Sequence, residues 1–267
     1  MTTTPTLDRA EFAAAPRTDA PAVPLTRLVL VELRKLVDTR SGRWLLATIL
    51  LLTAAVVALH LFTADGAQLT FEGFVGATMT PQSMLLPILG ILTVTSEWGQ
   101  RTGLVTFTLE PHRGRVALAK LLAVVGLGAL AVAGALLLAA LGNVLGSTLQ
   151  GGDGGWAFGV TDLRNILVFQ LIGVLQGLAL GMLIMNAAGA IVTYFALPTV
   201  WAILTSTIEW FAKVGEWVDL NTTSTALTSD SMDSGAWARL AVAAAIWVLL
   251  PLVLGWVRLL RREVKST

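Results

Sequence analysis

The residue types that catalyse reactions are scarce in this chain of 267 residues. It has no cysteine, and its only histidines are His60 and His112. The absence of cysteine excludes disulfides, thiolate metal sites and cysteine nucleophiles. The sequence also lacks a GxxxxGK[ST] phosphate-binding loop, an HExxH motif and a GxSxG motif. We therefore expect no catalytic residue, no metal site and no ATP hydrolysis in this chain itself.

The charged residues that could act together are concentrated in one segment, Ser96 to Lys120. Its pattern predicts a short helix with apolar side chains, with glycines before it and a proline and basic residues after it. Apolar side chains beside cations are suited to docking on another protein. The alternative is a basic loop that only orients membrane segments. The candidate residues are Glu97, Arg101, Thr102, Gly103, Phe107, Leu109, Pro111, Arg113 and Arg115.

A second charged segment, Leu25 to Arg40, has helical periodicity. Its apolar residues recur on one face, its charged residues occupy the other, and Glu32 falls near the apolar edge. This pattern predicts a basic amphipathic helix on a membrane surface. We favour a membrane anchor over a contact for a cytoplasmic partner, for which Glu32, Arg34 and Lys35 are the candidate residues.

The composition indicates the environment of these segments. Hydrophobic residues make up 55% of the chain and charged residues 13%, about half the share of roughly 25% in soluble domains. The mean hydropathy is +0.76. The chain is therefore predicted to be an all-α integral membrane protein.

Five long stretches contain no Asp, Glu, Lys or Arg. They are Trp44 to Ala64, Gly73 to Ser96, Leu121 to Gly152, Asn165 to Ile208 and Leu240 to Val257. The fourth would reach about 66 Å as a single helix, which is about twice the bilayer core. We therefore expect it to turn back near Asn186–Gly189, which gives six transmembrane helices. The third is predicted to end in a glycine-rich loop, Gly146 to Gly152.

The distribution of basic residues predicts the orientation. With six spans, 15 of the 18 Lys and Arg residues lie on the side that holds both termini. The positive-inside rule therefore predicts a multi-pass cell-membrane protein with both termini in the cytoplasm. Residues 1–24 are predicted to be a disordered cytoplasmic tail, and residues 25–267 a single six-helix domain. The net charge of +1 gives no indication of a nucleic-acid partner.

The parts of the chain around the later spans carry three further signals. Gly173, Gly177 and Gly181 form a stripe in span 4 that allows close helix packing, which we expect within one chain. The apolar face of Trp210 to Val218 predicts a short outer interfacial helix, and Asn221 to Gly235 is predicted to be a polar loop. Prolines within spans 2, 5 and 6 are expected to kink or break those helices. They are Pro81, Pro87, Pro198 and Pro251.

Polar residues inside the predicted spans are few. Gln170 and Gln176 are expected on different faces of span 4, where bonding between helices is favoured over contact with a substrate. No Asp, Glu, Lys or Arg is predicted near the bilayer midplane, which argues against a proton-driven carrier.

The loop after span 2 resembles that of type-2 ABC transporter permeases, the exporter-like membrane subunits. The resemblance lies in a Glu that closes span 2, a Gly/Thr turn, a short helix with Leu, a Pro, a basic pair and a Lys that opens span 3. The matching residues are Glu97, Thr102, Gly103, Leu109, Pro111, Arg113, Arg115 and Lys120. The usual Gly-Thr order is reversed here as Thr102-Gly103. The segment Val31 to Trp44 also resembles the family's entry helix.

This resemblance implies a function and partners. The loop after span 2 would be a coupling helix seated on a cytoplasmic ATP-binding cassette subunit, and the entry helix would face the same subunit. ATP and Mg²⁺ would be bound by that partner, and this chain would need no cofactor. A second permease chain would complete the pathway.

Two other functions remain open. One is a secondary transporter or channel that works without an ATPase, and the other is a membrane scaffold without transport. The expected pathway is apolar, with only Gln, Asn, Ser and Thr as polar contacts, which favours a lipophilic or amphipathic cargo over a small ion.

Overall fold

The computed structural model describes residues 23–99, 106, 108, 110, 112–229 and 232–261, and the regular structure in these ranges is helical. Within these ranges six helices are long and apolar enough to cross a membrane, as the sequence predicted. Spans 1 to 6 are Arg40–Thr63, Phe71–Gly99, Arg113–Leu149, Val160–Ile184, Ala187–Thr207 and Ser234–Arg261. The entry helix, Leu25–Asp38, precedes them, and Glu209–Val218 and Leu220–Thr228 lie between spans 5 and 6.

The two ends of the bundle differ in charge. The entry helix and the connections after spans 2 and 4 meet at one end, which we call the basic end. There Arg113 donates a hydrogen bond to the Leu259 carbonyl (3.4 Å), and Arg258 donates to the Leu183 carbonyl. The opposite, acidic end carries the connections after spans 1, 3 and 5.

Two predicted boundaries can be compared with the helices. Span 3 continues as helix to Leu149, so the loop predicted from Gly146 is wrong over its first four residues. The predicted turn between spans 4 and 5 is confirmed: Met185 has a φ of 56°, in the left-handed region, and ends span 4. Asn186 then caps span 5, because its side chain accepts a hydrogen bond from the Gly189 N–H (2.8 Å).

Spans 2 and 4 pack with their backbones in close contact. The glycine stripe of span 4 lies directly against the backbone of span 2. An added Cβ at Gly177 would lie 2.0 Å from the Pro87 carbonyl oxygen, and one at Gly181 would lie 3.0 Å from that of Ile91. Gly90 in span 2 is equally tight against the Val174 carbonyl (2.5 Å). Small residues therefore hold these two backbones together.

The prolines do not interrupt the helices that contain them. A proline lacks an N–H, so the carbonyl four residues earlier loses its helical donor. For Pro87 that carbonyl belongs to Ser83, and the Tyr194 hydroxyl of span 5 donates to it instead (3.3 Å). Span 6 adapts differently, with a π-helical turn at Ala245–Leu249 shortly before Pro251. The expectation of a break is therefore wrong at Pro81, Pro87 and Pro198, whereas span 6 changes its helical form just before Pro251.

The helices Glu209–Val218 and Leu220–Thr228 form a hairpin, which we call the re-entrant hairpin, that folds back from the acidic end between spans 4, 5 and 6. The Trp247 indole N–H of span 6 donates to the Val218 carbonyl at its tip (2.6 Å). Trp247 lies about 20 Å along span 6, so the tip is level with the middle of that helix. Gly215 packs beside Thr205 and Trp201 of span 5.

The polar loop predicted for Asn221 to Gly235 is wrong over its first eight residues, which are helical. The Asp219 side chain caps this helix by accepting from the Asn221 N–H (3.0 Å). Its hydroxyl side chains donate to carbonyls of the preceding turn, as Thr223 does to Asp219 (2.9 Å) and Ser224 to Asn221 (3.0 Å). A segment of polar composition is helical here because its hydroxyl groups are satisfied locally.

The contact between spans 2 and 4 gives a direct stability test. We expect Gly177→Ala to lower the free energy of unfolding by about 3 kcal/mol, the upper end of overpacking costs, because its Cβ would meet backbone rather than a flexible side chain. Unfolding in mixed detergent micelles measures it. Gly134→Ala in span 3 is the control, since nothing lies within 4 Å of its added Cβ. Equal stability of the two variants would contradict this packing.

Candidate functional site

Four charged residues from three segments meet at the basic end, and we call them the ion cluster: Glu32, Lys35, Glu97 and Lys120. Lys120 Nζ lies 2.6 Å from Glu32 Oε2 and 3.0 Å from Glu97 Oε1. Lys35 Nζ lies 2.7 Å from Glu32 Oε1 and 2.8 Å from Glu97 Oε1. Each cation thus contacts both carboxylates, and the cluster has no net charge.

The positions of these residues follow from the helices. Glu32 and Lys35 are three residues apart, so they share one face of the entry helix. Glu97 lies in the last turn of span 2, and Lys120 lies about two turns inside span 3. The cluster therefore joins the entry helix to the two spans that flank the candidate loop.

Three of the four side chains are withdrawn from solvent. Lys120 is 2% exposed, Glu32 4% and Glu97 5%. A buried ammonium requires a partner for each of its three N–H groups. Lys120 has three acceptors, the two carboxylates and the Thr93 carbonyl (3.1 Å).

Lys35 is the accessible member of the cluster, with a side chain 38% exposed. Partial burial acts to lower its pKa, but the attraction of Glu32 and Glu97 is larger in sum and holds the pKa of Lys35 above its ordinary value. Lys35 is therefore a cation at neutral pH, and its charge contribution to the cluster is lost only when the pH rises through that raised pKa.

The loop after span 2 contacts the ion cluster through Thr106. Its hydroxyl lies 3.2 Å from Glu97 Oε1, to which it donates, and 3.5 Å from Lys35 Nζ. Of the loop's predicted site residues, Arg101, Thr102, Gly103, Phe107, Leu109 and Pro111 lie outside the described residues. Through Thr106, the ion cluster connects the loop after span 2 to the entry helix.

A second carboxylate, Glu110, fixes the start of span 3. It is 5% exposed and accepts from the His112 N–H (3.3 Å) and ring Nδ1 (3.0 Å). Arg115 lies 3.8 Å from the same carboxylate and also donates to the Val23 carbonyl. Arg113 and Arg115, predicted as a basic docking rim, thus both bond to their own chain.

The entry-helix candidates divide into two groups. Glu32 and Lys35 belong to the ion cluster, whereas Arg34 is exposed. The sequence placed Glu32 at the edge of the apolar face, but the structure places it at the centre of the buried face, one turn before Leu36. The reason is Lys120, whose charge makes a carboxylate favourable at this position.

A cavity of about 320 Å³ lies at the level of the re-entrant hairpin. Spans 2, 4, 5 and 6 and the hairpin tip line it. Gln170 and Gln176 both line it, and Gln170 also makes the predicted bond between helices. Gln170 donates to Gln82 of span 2 (3.2 Å), while Gln176 has no hydrogen-bond partner among the residues described.

The cavity residues Tyr194, Trp201, Asp219 and Trp247 were not identified from the sequence as site residues. Asp219 also departs from the expectation of an interior without ionisable groups, because the hairpin tip carries it to the middle of span 6. The hydrophobic pattern around Trp210 indicated the first hairpin helix but not its descent. Within the described residues no three His, Asp or Glu side chains are grouped as a metal site.

Comparison with known proteins does not assign a family to this arrangement. No protein-family model matches the chain, and no curated protein matches it.

The ion cluster predicts a large effect for one substitution. Lys120→Met leaves two buried carboxylates with the single cation Lys35, so we expect the free energy of unfolding to fall by about 3–5 kcal/mol. Unfolding in mixed micelles measures the change. The double variant Lys120→Met, Glu32→Gln should recover part of the loss, because it restores a neutral cluster.

Lys213→Met is the matched control, since Lys213 forms an exposed pair with Glu209 at 3.7 Å. Exposed pairs contribute about 0–1 kcal/mol. A Lys120→Met variant as stable as the Lys213→Met control would show that the cluster does not hold the entry helix.

Proposed function

We propose that this chain is the membrane-spanning permease subunit of an ATP-driven ABC exporter. In this proposal the chain forms the translocation pathway, and a separate cytoplasmic ATP-binding cassette subunit docks at the basic end. Both termini then lie in the cytoplasm of a cell-membrane protein. ATP and Mg²⁺ belong to the partner, and this chain does not act as an enzyme.

The observation that carries the proposal is the ion cluster. A transporter driven by a separate ATPase must transmit movement of a docked loop to its membrane helices. Here the loop is short, and Thr106 within it contacts Glu97 and Lys35. Glu97 and Lys120 belong to spans 2 and 3, so a force on the loop acts on the entry helix and on two spans together. Packed helices moved in this way shift as rigid bodies.

The entry helix offers a surface beside the loop. Leu30 is 57% exposed and Val31 43% exposed, and Arg34 is exposed beside them. Apolar side chains next to a cation suit a membrane surface and a protein partner equally well. In the proposal this helix lies at the membrane surface and its exposed cations face the ATPase subunit.

A second permease chain is part of the proposal, and the exposure of span 5 supports it. Only 6% of the most apolar 18-residue stretch of span 5 is buried, compared with 50% of the corresponding stretches of spans 2 and 4. Its exposed residues include Val192, Val200 and Ile203. Such a face fits either lipid or a second copy of the chain. We propose the second copy, because span 5 also lines the cavity.

A secondary transporter without an ATPase is the second candidate, and Asp219 is the observation that favours it. Ionisable groups at membrane depth mark ion and proton paths in many carriers. Asp219 lies beside the cavity, level with the middle of span 6. We rank this candidate second because it gives no role to the contact between the loop and the ion cluster.

Purification of the chain from its native membrane in mild detergent tests the first candidate against the others. The expected result is a near-stoichiometric cytoplasmic protein with a GxxxxGK[ST] loop, identified by mass spectrometry. Recovery of this chain alone from repeated preparations, including preparations trapped with ATP and vanadate, would overturn the proposal.

The loop's role predicts the effect of a double variant on that complex. Phe107→Ala with Leu109→Ala should weaken ATPase binding about tenfold or more, because large apolar side chains dominate docking energies. Quantitative co-purification and ATP-dependent transport in proteoliposomes measure it. The control is Phe62→Ala with Leu59→Ala, an exposed pair near the acidic end of span 1. Equal binding by the two double variants would count against the loop as the docking element.

A further inference from the structure

The cavity of about 320 Å³ has the chemistry of a ligand site. Its volume falls at the lower end of the usual range for small-molecule sites, roughly 300–1,000 Å³. Aromatic side chains from three spans form much of its wall: Phe169, Tyr194, Phe195, Trp201 and Trp247. Such walls accommodate flat apolar bodies and contact cations through their ring faces.

Two polar groups in the wall have no partner among the described residues. The Trp201 indole nitrogen is buried and makes no hydrogen bond. The Gln176 side chain is 8% exposed, lines the cavity and makes no hydrogen bond to another described residue. The Gln176 side chain lines the cavity without a partner and can donate to a bound molecule, whereas the Trp201 nitrogen lies beside Gly215 and is closed off from the cavity. The neighbouring polar side chains already have partners: Gln170 donates to the Gln82 side chain, and the Tyr194 hydroxyl donates to the Ser83 carbonyl.

The wall carries a single charge in the part of the chain that the structure describes. Asp219, at the hairpin tip, is the one ionisable lining residue apart from the Tyr194 phenol. Its carboxylate accepts from the Asn221 N–H (3.0 Å) and from the Thr222 hydroxyl (2.6 Å), and no described Lys, Arg or His lies within ion-pair distance of it. A carboxylate without an ion-pair partner in a cavity with aromatic walls favours a bound cation.

We propose that this cavity binds a cationic amphiphile, a molecule with an aromatic or apolar body, a hydrogen-bond acceptor and a protonated amine. The amine lies against Asp219 and the aromatic rings. The acceptor receives an N–H of the Gln176 amide. That such a molecule is the cargo rests on the proposed function, whereas binding itself does not require an ATPase.

The test uses dibucaine, which combines a quinoline ring, an amide carbonyl and a protonated tertiary amine. Equilibrium dialysis measures binding of the radiolabelled compound to the full chain in phosphatidylcholine nanodiscs, with empty nanodiscs subtracted. We expect saturable binding. A neutral analogue, with a butyl group in place of the diethylaminoethyl chain, should compete at least about tenfold more weakly.

Variants separate the charge from the fold. Asp219→Asn should weaken dibucaine binding about tenfold and remove the preference over the neutral analogue, since asparagine still caps the helix. Gln176→Met keeps a side chain of similar size and loses the donor, so we expect about fivefold weaker binding of both compounds. Asp233→Asn makes the same change at the cap of span 6 outside the cavity and should bind as the native chain does.

The outcomes are distinct. Absence of saturable binding, or equal binding of dibucaine by the native chain and Asp219→Asn, would overturn the site. Saturable, Asp219-dependent binding supports it even if no ATPase co-purifies, in which case only the proposed function fails. ATP-driven transport by the complex without dibucaine binding would leave the function standing and refute the cavity as the site for this ligand class.

Discussion

The cost of burying charge governs the basic end of this molecule. A lone ammonium inside an apolar bundle is strongly unfavourable, and Lys120 is 2% exposed. Two carboxylates from different segments must reach it, and a second cation must balance them. The entry helix supplies Glu32 and Lys35, so its position is set by electrostatics as well as by its apolar face. The same requirement holds the end of span 2 against span 3 and fixes the attachment of the loop between them.

The other half of the bundle depends on shape. Glycines in span 4 bring its backbone against Pro87 of span 2. Because Pro87 lacks an N–H, the Ser83 carbonyl has no helical donor and accepts a hydrogen bond from the Tyr194 hydroxyl of span 5 instead. Spans 2, 4 and 5 are thereby joined at one level. The re-entrant hairpin enters beside span 6 and leaves a cavity at its tip. Movement of spans 2 and 3 at the basic end would thus reach the cavity through the contact between spans 2 and 4.

The fold was more predictable from the sequence than the site. Hydropathy and length determine the six spans, and helical periodicity indicates the entry helix, because both signals are local. Lys120, the buried partner of Glu32, is 88 residues away, so no local pattern could identify it. The hydroxyl-rich segment after Asp219 has the composition of a loop and became helical through capping and side-chain bonds to its own backbone. The cavity forms where spans 2, 4, 5 and 6 meet the re-entrant hairpin, and the sequence alone does not indicate how these elements pack together.

The ion cluster also has a consequence for biogenesis. Glu97 and Lys120 lie 3.0 Å apart at facing ends of consecutive spans. Spans 2 and 3 can therefore partition into lipid as a pair whose charges already cancel. Glu32 and Lys35 form an equivalent neutral pair within the helix that precedes span 1. Assembly of the ion cluster then joins two neutral pairs, and none of its four charges has to enter the bilayer alone.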